Sequence, residues 1–184
     1  MVISSHYIWT TILFPRIIGS RIRGRTVLIT GCSRGLGRIL AKKLDQLGCR
    51  LICWDIDAEG LESLKVKLTP SRLHVFQVVD VSDEEEIDSA FAKSPVQDFD
   101  ILIANAGVVS GKGVQELSPE EYHRTMDVNL HQHFYLFKKF KPLLEKSKNT
   151  QVPPTFAMVS SVCGLMALTH LTDYSASKFG LIGL

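Results

Sequence analysis

Short apolar segments alternate with helical patterns from residue 25 onward, and this alternation restricts the fold more than any other feature. The apolar segments occupy residues 26–30, 50–54, 73–79, 100–104 and 155–160. The first of them, TVLIT at residues 26–30, is a short continuous apolar run, which is typical of parallel strands that are buried on both faces. Strands that alternate with helices form the crossover units of a parallel sheet. The sequence therefore predicts an α/β fold, with a doubly wound parallel sheet covered by helices on both faces.

Helices are predicted between these strands from capping residues and from apolar spacing. A serine followed three residues later by an acid indicates helix starts at SDEE, residues 82–85, and at SPEE, residues 118–121. The second start is expected to open one long helix that reaches about Lys141, and a last helix begins near Asp173. The apolar positions at helical spacing are Leu36, Ile39, Leu40, Leu44 and Leu47 in the first helix, Leu61, Leu64 and Leu68 in the second, and Met126, Leu130, Phe134 and Phe137 in the long one.

Composition supports one folded domain and excludes several classes of protein. Of the 184 residues, 45% are hydrophobic and 22% are charged, so the chain can form a core. The formal net charge of +2 gives no argument for nucleic-acid binding. The four cysteines form no C-x-x-C pair and have no zinc-type spacing with histidine, and His131 and His133 face different sides of a helix. We therefore predict neither a metal site nor a nucleic-acid partner.

Residues 1–24 differ from the rest of the chain and are predicted to be a membrane-associating segment. Residues 1–15 contain no Lys, Arg, Asp or Glu, and four arginines follow between positions 16 and 25. The apolar stretch is shorter than the roughly 20 residues of a spanning helix, but aromatic residues beside a basic flank are typical of an interfacial anchor. A disordered or core-packed extension is the alternative. Residues 25–184 form the second predicted unit, the α/β domain.

A glycine-rich stretch, TGCSRGLG at residues 30–37, connects the first strand to the first helix. Its glycines allow a tight turn and bring a pyrophosphate close to the backbone and to the helix N-terminus, which predicts a Rossmann-type dinucleotide site. The same letters match the G-x-S-x-G nucleophile elbow of serine hydrolases, with Ser33 as nucleophile. Too few residues precede the stretch to supply the earlier strand that such hydrolases need. The predicted cofactor contacts here are Gly31, Ser33, Arg34, Gly35, Leu36 and Gly37.

The ends of the next three strands carry further candidate cofactor residues. Asp55 ends the second strand, 24 residues after Gly31, where a carboxylate can accept both hydrogen bonds of an adenosine ribose diol. Its alternative role is that of an acid near a helix N-terminus. Arg34 could face a 2′-phosphate, but Asp55 would repel that dianion, so NAD is predicted over NADP, which stays possible. The candidates after strands three and four are Asp80, Val81, Asn105, Ala106 and Gly107.

Three residues near the end of the chain form a candidate catalytic set. Ser161 follows the fifth strand, Tyr174 comes 13 residues later, and Lys178 lies four residues after Tyr174. Residues four apart share one face of a helix. An ammonium group beside a phenol favours the phenolate, so that the tyrosine could exchange a proton with a substrate oxygen that Ser161 holds. A tyrosine–lysine pair at this spacing also occurs by chance on helices.

The order of these motifs resembles that of the short-chain dehydrogenase/reductase family. The resemblance covers residues 25–184 and includes TGCSRGLG, Asp55, NAG at 105–107 and YSASK at 174–178. It implies a catalytic tetrad of Asn129, Ser161, Tyr174 and Lys178, in which Asn129 holds a water that links Lys178 to solvent. Tyr174 and Lys178 would also contact the cofactor, and Lys178 would bind the nicotinamide ribose.

Several segments resemble the membrane-associated branch of that family, which contains retinol dehydrogenases and 17β-hydroxysteroid dehydrogenases. These segments are LICWDID, IANAGVVSGKG, RTMDVNLHQHF and ASKFGLIGL. The resemblance implies hydride transfer between NAD(H) and a lipophilic alcohol or ketone, a homodimer in the full-length form, and residence on the endoplasmic reticulum or lipid droplets with the domain facing the cytosol. It also implies two further strands beyond residue 184, so the chain as given is expected to be an inefficient enzyme. A catalytically silent nucleotide-binding or lipid-surface protein is the alternative.

Overall fold

The computed structural model describes residues 21–96, 100–145 and 153–184 of the chain. The strands are β1 (Thr26–Thr30), β2 (Arg50–Asp55), β3 (Val75–Val78), β4 (Ile101–Ala104) and β5 (Thr155–Met158). They form one sheet in the order β3-β2-β1-β4-β5, and every neighbouring pair is parallel. The predicted parallel sheet is thus confirmed. Residues 1–20 of the predicted membrane-associating segment lie outside the described residues.

Six α-helices in the described part connect and cover the strands. They are α1 (Gly35–Gln46), α2 (Ala58–Lys65), α3 (Glu84–Lys93), α4 (Pro119–Met126), α5 (Gln132–Leu144) and α6 (Thr172–Gly183). A π-helical turn, Asp127–His131, joins α4 to α5, and a short 3₁₀ turn, Val162–Gly164, follows β5.

The hydrophobic core is divided into two clusters, one on each face of the sheet. Successive strand residues point to opposite faces, so Leu28 belongs to one cluster while Val27 and Ile29 belong to the other. The cluster with Leu28 is closed by α3 and α5, which contribute Ile87, Ala90, Leu136 and Phe140. The opposite cluster is closed by α1 and α2, which contribute Ala41, Leu61 and Leu64. Helices therefore cover both faces, as the apolar strand runs predicted.

The order of the strands positions a cleft at one edge of the sheet. The chain winds outward from β1 to β2 and β3, and then crosses back to β4 on the other side of β1. The loops that leave β1 and β4 therefore diverge at their carboxyl ends, and ligands of such sheets bind at this switch point.

Two predicted helix features differ from the structure at the level of single residues. The start of α3 is capped by Asp83, whose side chain accepts from the amides of Glu85 and Glu86, and not by Ser82 as predicted. The cap of α4 is the predicted one, because Ser118 and Glu121 form a reciprocal capping box with a proline between them. The apolar face predicted for α1 is only partly buried, since Leu36 and Ile39 are exposed while Leu40, Leu44 and Leu47 pack on the core.

The long helix predicted from Ser118 to about Lys141 is present as one unbroken helical segment, but a π-helical turn at Asp127–His131 divides it into α4 and α5. The π-helical turn contains one residue more per turn than an α-helix, so it rotates α5 relative to α4. As a result Leu136 and Phe140 face the core, whereas Phe134 and Phe137 are 50% and 43% exposed.

Candidate functional site

The turn after β1 is built from glycines because other backbone atoms pass very close to it. Gly31 has a left-handed φ of 67°, and its amide donates to the Trp54 carbonyl at 2.8 Å. A Cβ on Gly31 would lie 2.7 Å from Ala106 Cα, and a Cβ on Gly37 would lie 2.0 Å from the Gly31 carbonyl oxygen. Both glycines therefore hold the turn against the start of α1 and the loop after β4.

Gly35 has a different environment, because it faces the cleft. Its φ of 52° is left-handed, yet a Cβ there would meet nothing within 4 Å. Arg34, the N-cap residue of α1, makes no side-chain capping bond, and the first turn contains no acid. The first-turn amides are therefore not neutralised by a carboxylate, and a helix N-terminus of this kind attracts an anion.

Asp55 lies at the carboxyl end of β2 beside this turn. Its Oδ2 accepts from the amide of Ser33 at 2.8 Å, and its Oδ1 accepts from the amide of Asp57 at 3.0 Å. Each carboxylate oxygen thus keeps acceptor capacity for a further donor. Arg34 is mostly exposed and lies 3.4 Å from Asp57. Arg34 is therefore drawn toward the Asp57 carboxylate rather than toward Asp55.

Ser33 is buried underneath the turn, away from the cleft. Arg38 donates to the Ser33 carbonyl at 2.8 Å and to the Gly60 carbonyl at 3.2 Å, which fixes the turn against α2. The Oγ atom of Ser33 has no hydrogen-bond partner among the described residues. No base therefore activates it in this part of the chain, and the hydrolase alternative gains no support.

The loop after β4 is tied to the end of β1 by side-chain hydrogen bonds. Thr30 Oγ1 accepts from the amides of Asn105 and Ala106, at 3.1 and 3.0 Å. In return, Asn105 Nδ2 donates to the carbonyls of Thr30 and Gly31, both at 3.0 Å. Asn105 therefore stabilises the glycine-rich turn by binding the carbonyls at its start.

The side chain of Asn129, in the π-helical turn, is fully buried and fully engaged. Its Oδ1 accepts from the Val108 amide at 2.8 Å, and its Nδ2 donates to the Val108 carbonyl at 2.8 Å and to Ser177 Oγ at 3.2 Å. A Cβ on Gly107 would lie 3.3 Å from Asn129 Oδ1. Since this side chain is committed to the loop, any water bound by Asn129 would be held by its main-chain carbonyl.

Tyr174 and Lys178 share one face of α6, as their spacing predicted. The Lys178 ammonium lies 5.6 Å from the centre of the Tyr174 ring and donates to the Val159 carbonyl at 2.9 Å. Lys178 is only 3% exposed, and this burial lowers its pKa. Ser161 begins the 3₁₀ turn after β5, and its Oγ accepts from the Cys163 amide at 3.2 Å.

These elements surround one cleft of about 870 Å³ at the carboxyl edge of the sheet. Most of the residues predicted from the sequence line it, while Ser33 and Asn129 lie behind the lining. Lys178 Nζ and Gly107 are close together, since a Cβ on Gly107 would lie 4.0 Å from that nitrogen. The predicted residues in the lining are Gly31, Arg34, Gly35, Leu36, Gly37, Asp55, Asp80, Val81, Asn105, Ala106, Gly107, Ser161, Tyr174 and Lys178.

Sequence reasoning missed three residues that hold the cleft together. Thr30 ties the two loops, Val159 supplies the carbonyl that Lys178 contacts, and Asp173 accepts hydrogen bonds from two hydroxyls. The sequence could have indicated Thr30, because it is the polar residue that ends an apolar strand. Nothing in the local sequence indicates the contacts of Val159 and Asp173.

The parallel strand order, the glycine-rich turn into α1 and the acid that ends β2 define a Rossmann-type α/β domain. A tyrosine–lysine pair one helical turn apart lies in its cleft. Residues 25–184 match the family model described as short chain dehydrogenase, and the chain belongs to that family.

Two curated relatives show similar identity to this chain. It is 34% identical over 166 residues to estradiol 17-beta-dehydrogenase 11 of Pongo abelii, covering 88% of this chain and 54% of that protein. It is 35% identical over 167 residues to epidermal retinol dehydrogenase 2 of Homo sapiens, covering 88% of this chain and 52% of that protein. The chain thus spans about half the length of these relatives.

A solved structure gives the same fold. A short chain dehydrogenase/reductase from Burkholderia phymatum in complex with NAD matches with a TM-score of 0.79 at 25% identity. The match covers 89% of this chain and 58% of that one.

Proposed function

We propose that this chain carries the cofactor-binding and catalytic part of an NAD(H)-dependent oxidoreductase that acts on lipophilic alcohols or ketones. One observation carries the proposal: Ser161, Tyr174 and Lys178 line the same cleft as the uncapped N-terminus of α1 and Asp55. Proton-transfer groups and an anion site for a dinucleotide are therefore within one cavity.

The residues of the cleft fit a dinucleotide. The uncapped N-terminus of α1 and the open space at Gly35 suit a pyrophosphate. Asp55 retains acceptor capacity for the two hydroxyls of an adenosine ribose, which favours NAD, with NADP as the other cofactor of the same kind. Asp80, Val81, Asn105, Ala106 and Gly107 complete the cofactor side. When bound, the nicotinamide supplies the hydride acceptor or donor.

The residues of this chain transfer the proton and position the groups that exchange it. Tyr174 gives its phenol proton to a substrate oxygen during reduction, or takes one from it during oxidation. Lys178 holds a positive charge beside that ring and binds the nicotinamide ribose. Ser161 donates to the substrate oxygen and so orients it toward Tyr174. Asn129 completes the set by fixing Val108 and by holding, through its main-chain carbonyl, a water that links Lys178 to solvent.

The substrate class rests on relatives and on the apolar residues of the cleft. Val109, Val128, Leu171 and Cys163 line the cleft beside the predicted residues and contribute apolar atoms to it. The names of the two relatives refer to estradiol and to retinol. A retinoid, a steroid or a fatty alcohol is the proposed substrate, and the full-length form is proposed to be a homodimer.

A membrane location is part of the proposal and rests on the sequence of residues 1–24. Within residues 21–96, 100–145 and 153–184, no helix is both long and apolar enough to cross a bilayer. We expect residues 1–24 to direct the protein to the endoplasmic reticulum or to lipid droplets, with the domain facing the cytosol. Residues 1–24 fused to a fluorescent protein should therefore mark these membranes, and a diffuse signal in cells would contradict this expectation.

The catalytic assignment is tested with two tyrosine variants in a full-length context. Tyr174→Phe should bind NADH as the unmutated protein does, because the ring remains, but should lose turnover, because the transferable proton is gone. Tyr122→Phe, on the exposed face of α4, is the matched control and should keep both properties. Retention of more than about a tenth of kcat in Tyr174→Phe, a barrier change of only ~1.4 kcal/mol, would exclude Tyr174 as the acid/base.

Titration with NADH separates the proposed function from its alternatives. A serine hydrolase that uses Ser33 should show no NADH fluorescence change. A catalytically silent nucleotide-binding protein should bind NADH but should not oxidise any retinoid, steroid or fatty alcohol in a screen. Binding together with turnover supports the oxidoreductase.

A further inference from the structure

Asp173, the residue before Tyr174, is a fully buried carboxylate at the first turn of α6. Its Oδ1 accepts from Ser110 Oγ at 2.9 Å, and its Oδ2 accepts from Thr125 Oγ1 at 2.7 Å. Ser110 belongs to the loop after β4 and Thr125 to α4, so one side chain joins three separate elements. Leu171, the N-cap position of α6, makes no side-chain capping bond.

Asp173 is held in its charged form by these contacts. Burial opposes the charge, but hydrogen bonds from Thr125, Ser110 and the backbone of Tyr174 outweigh it and lower the pKa of Asp173. A negative charge at a helix N-terminus is also favourable. On the neighbouring helix α4, the acidic side chain of Glu121 is paired with Lys112 of the loop after β4 at 2.5 Å.

The loop from Val108 to Ser110 is therefore fastened at two points, both of which lead to the candidate catalytic residues. The side chain of Asn129 binds the backbone of Val108, and its Nδ2 also donates to Ser177 Oγ. The Ser177 hydroxyl in turn donates to the Tyr174 carbonyl at 2.7 Å. Asp173 holds Ser110 and adjoins Tyr174 in the chain. Val109, between these two points, lines the cleft and is exposed.

We infer that Asp173 is a positioning residue: it ties the loop after β4 and α4 to the first turn of α6, and it thereby fixes the orientation of Tyr174. Its relevance for the reaction rests on the proposed function. The proposed coupling between Ser110 and Tyr174 is, however, a property of the folded chain that can be measured without substrate.

The test follows Tyr174 by ¹⁹F NMR after incorporation of 3-fluorotyrosine. The chain contains four tyrosines, Tyr7, Tyr122, Tyr135 and Tyr174, and the resonance lost in Tyr174→Phe identifies the last one. Ser110→Ala removes one donor to the carboxylate and should move the Tyr174 resonance by more than its linewidth. The resonances of Tyr122 and Tyr135 should remain in place.

Replacement of the carboxylate itself should produce a graded response. Asp173→Ala should move and broaden the Tyr174 resonance more than Ser110→Ala does. Asp173→Asn should restore part of the original position, because an amide can accept from one hydroxyl and donate to the other. If Asp173→Ala does not fold, Thr125→Val and Ser110→Ala decide the question.

Asp45→Asn is the matched control for a loss of stability alone. Asp45 is also a buried carboxylate, which accepts from Thr69 at 2.8 Å and pairs with Arg72, but it lies at the opposite end of the sheet. This variant should lower the melting temperature and leave the Tyr174 resonance unchanged. An unmoved Tyr174 resonance in the folded Asp173 and Ser110 variants, or an equal movement in Asp45→Asn, would overturn the inference.

NADH titration and kinetics on the same variants connect the coupling to the reaction. Ser110→Ala should keep the affinity for NADH, since it leaves the turn before α1 intact, and should lower kcat rather than raise KM for the cofactor. If the unmutated chain fails to bind NADH, the proposed function is rejected, while the NMR result still decides the role of Asp173.

Discussion

A histidine buried next to the candidate catalytic lysine should make the stability of this protein depend on pH. His133 lies in α5 and is fully buried, and neither ring nitrogen has a hydrogen-bond partner among the described residues. Burial, followed by the positive charge of Lys178, lowers the pKa of His133 to about 4 from its ordinary 6.5. The carbonyls of Ala104 and Leu130 favour the charged form, but they do not reach hydrogen-bond geometry.

The sign and size of the effect follow from proton linkage. Between pH 6.5 and about 4, the unfolded chain binds a proton at His133 that the folded chain does not, so acidification favours unfolding. At 1.36 kcal/mol per pKa unit, the full difference corresponds to about 3.4 kcal/mol. Of this, about 1.8 kcal/mol should be lost between pH 7 and pH 5.

Urea denaturation at pH 7 and pH 5 measures this loss. His133→Leu should reduce the difference between the two pH values by about 1.8 kcal/mol, whatever its effect on stability at pH 7. Burial also lowers the pKa of His74, so part of the pH dependence should survive in this variant. His170→Gln, a substitution of an exposed histidine, should leave the dependence unchanged. An identical pH dependence in His133→Leu and in the unmutated protein would refute the argument.

Two further predictions concern the cofactor side of the cleft. Gly37→Ala should lower the free energy of unfolding by about 1–3 kcal/mol, because the new methyl group would clash with the Gly31 carbonyl and with Asn105, and each kcal/mol should lower the melting temperature by roughly 2–4 °C. Gly183→Ala, whose Cβ would meet nothing within 4 Å, is the control, and equal melting temperatures for the two variants would contradict the steric reason. NAD(H) should bind more tightly than NADP(H), and Asp55→Ala should narrow that gap, since it removes the carboxylate that repels a 2′-phosphate. Equal dissociation constants of the unmutated protein for the two cofactors would contradict this assignment.

Local patterns were sufficient for the sheet and for most of the cleft. The apolar runs predicted the parallel strands because strands covered on both faces need no polar side. The positions after these runs predicted the cleft because the carboxyl ends of parallel strands meet at one edge. Ser118 and Pro119 likewise predicted the start of α4, since a capping box is formed within four residues.

Contacts between distant residues were beyond such patterns. The π-helical turn forms where Asn129 bonds to Val108, 21 residues earlier. Apolar spacing alone did not show that Phe134 and Phe137 are about half exposed. The tie from Ser110 to Asp173 spans 63 residues, and Asp173 by itself resembles an ordinary acid at a helix start. Ser82 and Asp83 are both good capping residues, so only the backbone conformation decided between them.

The reciprocal bonds between Thr30 and Asn105 have a consequence for protein engineering. They connect positions 75 residues apart, and a Cβ on Gly31 would strike Ala106, so the two loops have matched shapes as well as matched hydrogen bonds. A chimera that takes residues 25–89 from one family member and residues 90–184 from another would combine two loop surfaces that had not been selected together. Crossover points between residue 107 and the end of the chain keep both loops from the same parent. Libraries of hybrids built in this way should yield a larger fraction of folded proteins than libraries with crossovers between β1 and β4.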